Sequence, residues 1–366
     1  MHITVKREDL LKPLGIVAGV VERRQTLPIL SNILLRYNGK ELALTGTDLE
    51  VEISAQISCK GGNNGEMTVP ARKLHDICRA LPNDALIDIT LDKEKAVIKS
   101  GKSRFRLLTM PATEFPAIET AQWDIKFTLP QSKLRWLLEK TMFCMAQQDV
   151  RYYLNGLLFE VSGQQLRAVA TDGHRLSLGE VDISNSIDGE KHVILPRKGV
   201  QEMIRFLDDT DAEVQLQIGA NHMRATLKGL TFTSKLIDGR FPDYNRVIPA
   251  TQSKRLKVQR TSFRETLNRA AILSNEKYRG VRFGLGNSLM TITAHNPEQE
   301  EAQEEIAIDY QGENMEIGFN VNYISEAVGA LDSDEIEFCL NDPNSSCLLR
   351  VPGNSKHLYV VMPMRL

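Results

Sequence analysis

Ile3-Thr-Val-Lys-Arg-Glu-Asp-Leu-Leu-Lys-Pro-Leu14 reads as a short alternating strand running into a helix. The same layout returns at Phe127-Thr-Leu-Pro-Gln-Ser-Lys-Leu-Arg-Trp-Leu-Leu138 and at Leu256-Lys-Val-Gln-Arg-Thr-Ser-Phe-Arg-Glu-Thr-Leu267. The three openings are separated by 124 and 129 residues. A recurrence at that spacing means a repeated structural unit, and it decides how the remaining chain is read. After each opening comes a strand pair around a tight turn, signalled by Asn38-Gly39, Ser162-Gly163 and Gly286-Asn287.

A strand leading into a second helix then recurs at Met67-Thr-Val-Pro-Ala-Arg-Lys-Leu-His-Asp-Ile-Cys78, at Val193-Ile-Leu-Pro-Arg-Lys-Gly-Val-Gln-Glu-Met-Ile204 and at Glu316-Ile-Gly-Phe-Asn-Val-Asn-Tyr-Ile-Ser-Glu-Ala327. Pro70 and Pro196 mark helix entrances, where a missing N–H costs nothing. Phe115-Pro116 and Phe241-Pro242 mark the hand-over from one unit to the next. Each unit therefore reads β-α-β-β-β(n)-α-β-β-β. Two short helices cannot cover both faces of so many strands, so the expected class is α+β, with a helix pair on one face of antiparallel sheet.

The chain has 366 residues, 42% hydrophobic and 25% charged, which is the profile of an ordered globular protein. Its 45 Lys+Arg and 47 Asp+Glu give a net charge of −2, which excludes nucleic-acid binding by bulk basicity. The sign is segregated, however. The helical windows 7–20, 71–80, 131–145, 196–207, 262–273 and 320–331 hold thirteen basic and seven acidic side chains, a net of +6 against −8 elsewhere. Basic helices suit a polyanion-facing surface; a solvated helix face is the other reading. The loop Glu22-Arg-Arg-Gln25 and its counterpart Gln147-Gln-Asp-Val-Arg-Tyr-Tyr153 suit phosphate and sugar contact without base reading.

Five scattered cysteines, none in a C-x-x-C pair, fit a reducing cytoplasm without disulfides or zinc. The stretch 14–21 lacks the flanks of an export signal, and no run reaches a membrane span. No phosphate-binding loop, zinc-hydrolase or nucleophile-elbow motif occurs. Asp172, beside His174 and Arg175, is the tempting acid and would suit a hydrolase. Thr47-Asp48 occupies the same repeat position, though, which favours a turn residue bonding its own backbone. The run Glu298, Glu300, Glu301, Glu304, Glu305 could hold a divalent cation, but a solvated or subunit-pairing face is the better reading. The C-terminal Met362-Pro-Met364 is either the end of a buried strand or an adaptable peptide-binding surface.

Six stretches carry a specific resemblance: Leu44–Glu50, Gln148–Gly156, Val169–Leu176, Lys235–Tyr244, Ala271–Lys277 and Tyr359–Leu366. Through them the whole chain is similar to the bacterial DNA polymerase III beta subunit family, the sliding clamps. The resemblance implies three DNA-clamp domains at 1–122, 123–250 and 251–366. Two protomers would join head to tail into a ring that encircles double-stranded DNA. It implies a processivity factor with no active site and no cofactor. The partners would be the DNA polymerase III alpha subunit, the clamp loader delta subunit and other proteins with a clamp-binding motif.

DNA contact would fall to Arg24, Arg72, Gln148, Tyr152, Tyr153, Arg197 and Lys198. The partner-peptide cleft would use Leu154, Thr171, Gly173, His174, Arg175 and Leu176 on one side. Pro242, Arg246, Val247, Val360, Met362, Pro363, Met364 and Arg365 would form the other. The dimer contact would set Phe105 and Leu107 against Ile272 and Leu273, flanked by Lys73, Lys102 and Arg104 facing Glu300, Glu301 and Glu304.

Overall fold

The computed structural model describes every residue except 23–26, 117, 119–121, 250–252 and 366. Six helices recur in pairs: α1 Arg7–Val20, α2 Ala71–Ala80, α3 Gln131–Thr141, α4 Arg197–Phe206, α5 Arg260–Ala271 and α6 Val321–Ala330. All six lie within the expected windows to a few residues, and Pro70 and Pro196 are the N-caps of α2 and α4. Apolar residues at helical spacing decide the buried face, as with Leu10, Leu14 and Val17 of α1 and Phe263, Leu267 and Ala270 of α5. Helix ends leave carbonyls unsatisfied, and cations of the preceding helix supply donors. Arg7 donates to the Cys78 and Arg79 carbonyls at 2.8 and 3.2 Å, and Arg135 to the Leu207 carbonyl at 2.7 Å.

The paired strands run antiparallel and form four sheets. A five-stranded sheet has the order Lys60–Gly61, His2–Lys6, Leu86–Asp92, Lys95–Ser100, Ser103–Leu108. An eight-stranded sheet joins strands of the first and middle repeats, because Leu230–Lys235 pairs with Val51–Ser58. A six-stranded sheet joins the middle and last repeats in the same way, through Arg175–Gly179 against His357–Val361. A four-stranded sheet has the order Glu301–Ala307, Leu289–His295, Gly280–Gly286, Met315–Asn320.

By contact density the chain divides into two compact units that share the middle repeat. One holds 1–135, 183–188 and 195–237; the other holds 136–182, 189–194 and 238–366. The first unit buries Leu10, Leu14, Val17, Ile33, Leu42 and Ile53 beneath its helices. The second is centred on aromatic contacts, with Phe263 edge-on to Phe283 at 5.9 Å and to Phe338 at 5.3 Å.

Two turns sit one residue beyond their signals. In the first, the Asn38 N–H bonds the Glu41 carbonyl at 3.2 Å, so the turn is Gly39-Lys40. The third behaves likewise. Gly286 pairs with Leu289, so the two-residue turn is Asn287-Ser288, at φ 50° and 58°. Asn tolerates that left-handed region, which leaves the glycine as the last strand residue.

In the second unit Lys140 donates to the Ala330 carbonyl and to Asp332, each at 2.7 Å, tying α3 to the end of α6. Tyr359 donates to the Lys140 carbonyl at 2.9 Å, and its hydroxyl meets His357 Nε2 at 2.7 Å. His357 is buried edge-on to Trp136. Burial and the Lys140 ammonium hold its imidazole down at about 4, against a weaker opposing pull from Asp332. A lowered folded-state value means that the unfolded chain binds the proton more readily below about pH 6.5. Stability is therefore complete above that pH and falls as pH drops toward 4, by on the order of 3 kcal/mol. Urea midpoints measured from pH 7 to 4 should show this slope, and His357→Phe should flatten it; an equal slope in the variant would refute the assignment.

Candidate functional site

Thr171-Asp172-Gly173 makes the turn into the strand that begins at Arg175. The Asp172 carboxylate accepts from the N–H groups of His174 and Arg175 at 2.9 and 3.1 Å. Thr171 donates to the Arg175 carbonyl at 2.6 Å and accepts from the Gly173 N–H. Asp48 and Thr47 make the same bonds in the first repeat, with Glu50, Val51 and Leu49. Asp172 is thus occupied as a turn acceptor, as its repeat position suggested. Gly173, at φ 89°, sits where L side chains are strained, and the first repeat carries Leu49 there at φ 79°.

Arg175 is a structural hub within the second unit. It bonds Asp172 at 3.0 Å, Glu326 of α6 and the Phe143 carbonyl at 2.8 Å, and its guanidinium lies over Tyr323 at 4.5 Å. Beside it Cys144 is fully enclosed, and burial pushes its thiol up to about 12, so it is unreactive.

This turn forms one wall of a cavity of about 200 Å³. The expected residues Leu154, Thr171, Gly173, Arg175, Leu176, Pro242, Val247, Val360 and Met362 line it together. Leu154, Leu176 and Val360 form its buried floor, while Val247 and Met362 are exposed on its rim. The volume suits one or two apolar side chains of an extended peptide, each worth about 1.5–3 kcal/mol on burial.

Four lining residues were not foreseen: Arg151, Tyr153, Asp243 and Tyr244. Arg151 grips Asp149 in a fork at 3.0 and 2.8 Å, which holds that carboxyl down at about 2. Tyr244 donates to Glu160 at 2.5 Å and accepts from Arg167 at 3.1 Å. Burial, reinforced by Glu160, pushes its phenol up to about 12. The Phe-Pro-Asp-Tyr stretch after the hand-over signal was the visible hint of Tyr244.

Five expected cleft residues lie elsewhere. His174 stacks on Tyr323 at 6.4 Å, and its carbonyl accepts from the Met362 N–H at 2.9 Å. Arg246 points to solvent and pairs with Asp243 at 2.9 Å. Pro363, Met364 and Arg365 line a separate cavity of about 470 Å³ with Arg282, Glu316 and Asn344. The Met364 N–H donates to the Gly318 carbonyl at 2.8 Å, and this carries the tail away from the first cavity.

Among the expected DNA contacts, Arg24 lies outside the described residues. Arg72 is exposed on α2. Tyr152 is exposed and edge-on to Tyr153 at 5.8 Å, beside Gln148 at φ 55°. Arg197 opens α4 and is half-buried. Lys198 differs from the others: its ammonium is held by Asp48 and, at 2.6 Å, by Glu22, so its charge is already compensated.

The expected dimer residues lie on two sheet edges. Ser103–Leu108 is the outer strand of the five-stranded sheet, with half-buried Phe105 and Leu107, and Lys73 and Lys102 stay exposed nearby in sequence or on α2. Glu301–Ala307 is the outer strand of the four-stranded sheet. Ile272, just past α5, is 75% exposed and Leu273 is half-buried. Glu304 is held at 2.7 Å by Arg269 of its own chain, and Glu300 accepts from Asn296 at 2.6 Å. No group of three or more His, Cys, Asp or Glu among the described residues could hold a metal ion. Nor is any described helix long and apolar enough to cross a membrane.

Three repeats of paired helices and antiparallel sheet, with an apolar peptide-sized cleft, define a docking protein of the DNA-clamp fold. The chain belongs to the DNA polymerase III beta subunit family, the non-catalytic sliding-clamp subunit. The models for its N-terminal, central and C-terminal domains match residues 1–119, 128–243 and 245–365. The beta sliding clamps of Pseudomonas aeruginosa and Escherichia coli are 53% and 49% identical, each over the full length of both chains. A crystal structure of the Pseudomonas aeruginosa DNA polymerase III beta subunit matches with a TM-score of 0.98 at 53% identity, covering both chains fully. A second structure of the Pseudomonas aeruginosa sliding clamp, solved bound to griselimycin, matches with a TM-score of 0.97 at 53% identity, again covering both chains fully.

Removing Arg175 would strand Asp172 and Glu326 without their cation. Arg175→Leu should lower stability by about 2–3 kcal/mol in denaturant titration, and a change below 0.5 kcal/mol would contradict its role as hub.

Proposed function

We propose that this chain is half of a closed ring that encircles duplex DNA and tethers a polymerase to it. The observation that carries this reading is a rule of strand pairing at the repeat junctions. The last strand of the middle repeat, Leu230–Lys235, pairs with Val51–Ser58, the strand after the Asp48 turn. The last strand of the third repeat, His357–Val361, pairs with the strand after the Asp172 turn. The last strand of the first repeat, Ser103–Leu108, is a sheet edge, and so is Glu301–Ala307, the strand after the equivalent turn of the third. Paired across two protomers, these edges complete the series. A head-to-tail contact that repeats this way closes into a ring of six domains and twelve helices. The domain division that follows is 1–122, 123–250 and 251–366.

The junction rule supports a register as well. Ser234 faces Val51, and Leu230 opens its strand as Ser103 does, opposite Leu227 and Ser100 respectively. Asp48 N–H bonds the Val51 carbonyl as Asn296 N–H bonds that of Glu300, each at 3.2 Å. Leu107 then faces the partner's Glu300, and Phe105 the partner's Ala302, with Ile272 and Leu273 closing over Phe105 and Leu107. On the other face Arg106 meets the partner's Glu301. Lys73, Lys102 and Arg104 supply the surrounding positive field for the acidic strand.

Helices carrying a net +7 per protomer would line the hole and hold phosphate without fixing register, which permits sliding. Arg24, Arg72, Arg197, Gln148, Tyr152 and Tyr153 are the contact candidates. Lys198 contributes only if it is released from Asp48 and Glu22. The cavity floored by Leu154, Leu176 and Val360 is the docking cleft for apolar peptide motifs. Its partners would be the polymerase alpha subunit, the loader's delta subunit and other motif-bearing proteins, in the cytoplasm.

Charge reversal tests the seam. Arg106→Glu and Glu301→Arg should each weaken the dimer about tenfold in sedimentation, and the double variant should recover it. Masses that ignore all three variants would contradict the register. Separately, Met362→Ala should weaken binding of a fluorescent clamp-motif peptide about tenfold while leaving the dimer mass unchanged; undiminished binding would contradict the cleft.

A further inference from the structure

The first strand of each repeat has one edge that faces no full-length neighbour, and each edge is closed at equivalent residues. In the first repeat, Lys60–Gly61 pairs with His2–Lys6, and the Gly62 N–H donates to the His2 carbonyl at 3.1 Å. Only glycine fits at residue 61, since a Cβ there would lie 2.6 Å from that same carbonyl. In the third repeat, Lys257 and Asp309 exchange backbone bonds at 3.1 and 2.9 Å. Aligning Ile3-Thr4 with Phe127-Thr128 and Leu256-Lys257 puts Lys126 in the place of His2 and Thr128 in that of Lys257.

Trp123–Pro130 is the outer strand of the eight-stranded sheet. Here a side chain closes the edge. Asn185 Oδ1 accepts from the Thr128 N–H at 3.2 Å, and Asn185 Nδ2 donates to the Lys126 carbonyl at 3.0 Å. A carboxamide carries both a donor and an acceptor, so one Asn supplies two of the bonds that a neighbouring strand would make. Asn185 also stands at a comparable distance along the chain, within Arg175–Pro196 and ten residues after Arg175 opens the strand that follows the Asp172 turn. Lys60–Gly61 and Asp309 stand likewise after Val51–Ser58 and Glu301–Ala307.

We propose that Asn185 is an edge plug. It replaces the backbone segment of the other two repeats and keeps Trp123–Pro130 from pairing with the same edge of a second copy of this chain. An exposed strand edge is a template for such pairing, and this protein works through two other edges that must be chosen over this one.

Amide exchange tests the bond pattern. In Asn185→Ala the Thr128 N–H should exchange about tenfold faster, while Phe127, whose N–H faces the sheet, stays protected. At raised concentration this variant should also form species larger than wild type in sedimentation. Unchanged Thr128 exchange, or an equal rise at Phe127, overturns the plug, and an unchanged mass overturns its role against self-pairing. Asn185→Asp keeps the acceptor for Thr128 but loses the donor to Lys126. It should retain Thr128 protection and melt a few degrees lower; wild-type stability in that variant would also overturn the proposal.

Discussion

A β-strand edge carries unpaired donors and acceptors, and in this protein the edges decide nearly everything else. Leu230–Lys235 on Val51–Ser58 and His357–Val361 on Arg175–Gly179 turn three repeats into two continuous sheets, each crossing a repeat boundary. The same rule leaves one basic edge, with Arg104 and Arg106, and one acidic edge, with Glu301 and Glu305, without strand partners among the described residues. In the proposed head-to-tail contact, backbone pairing would supply the direction, and the opposed charges would favour the correct partner over a like edge.

The cleft follows from a junction as well. Its floor combines Leu176, on the strand after the Asp172 turn, with Val360, on the strand paired to it. Arg175 fastens that strand to α6 through Glu326 and Tyr323, so the pocket wall is tied down by contacts within the chain. Preformed apolar floors reduce the ordering cost of binding. Lys198 illustrates the opposite economy. A lysine on a basic helix reads as a phosphate contact, yet here it holds α4 to Asp48 and Glu22.

Local pattern made the helices, the class and the repeat legible in the sequence, because Pro70, Pro196 and the spacing of Leu10, Leu14 and Val17 act within a few residues. The Thr-Asp turns were legible for the same reason. The resemblance supplied most of the cleft, but not Arg151, which is fixed by Asp149 two residues away, or Tyr244, whose role depends on Glu160 and Arg167 arriving from the strand region Gly156–Thr171. The resemblance also puts Met364 in the cleft. One hydrogen bond to Gly318 sends it elsewhere, and no periodicity encodes that bond. The turn at Asn287-Ser288 was displaced by one residue, since glycine is the stronger turn signal but Asn tolerates the same backbone.

Topology separates a ring from every other way of holding DNA. Protein assembled on a nicked circular plasmid by its ATP-driven loader, then freed of the loader, should co-elute with the plasmid through a gel-filtration column. It should leave within minutes once a restriction enzyme linearises the DNA. Retention that is equal on circular and linear DNA, and that instead falls steeply with salt, would mean binding by charge alone and would contradict the closed ring.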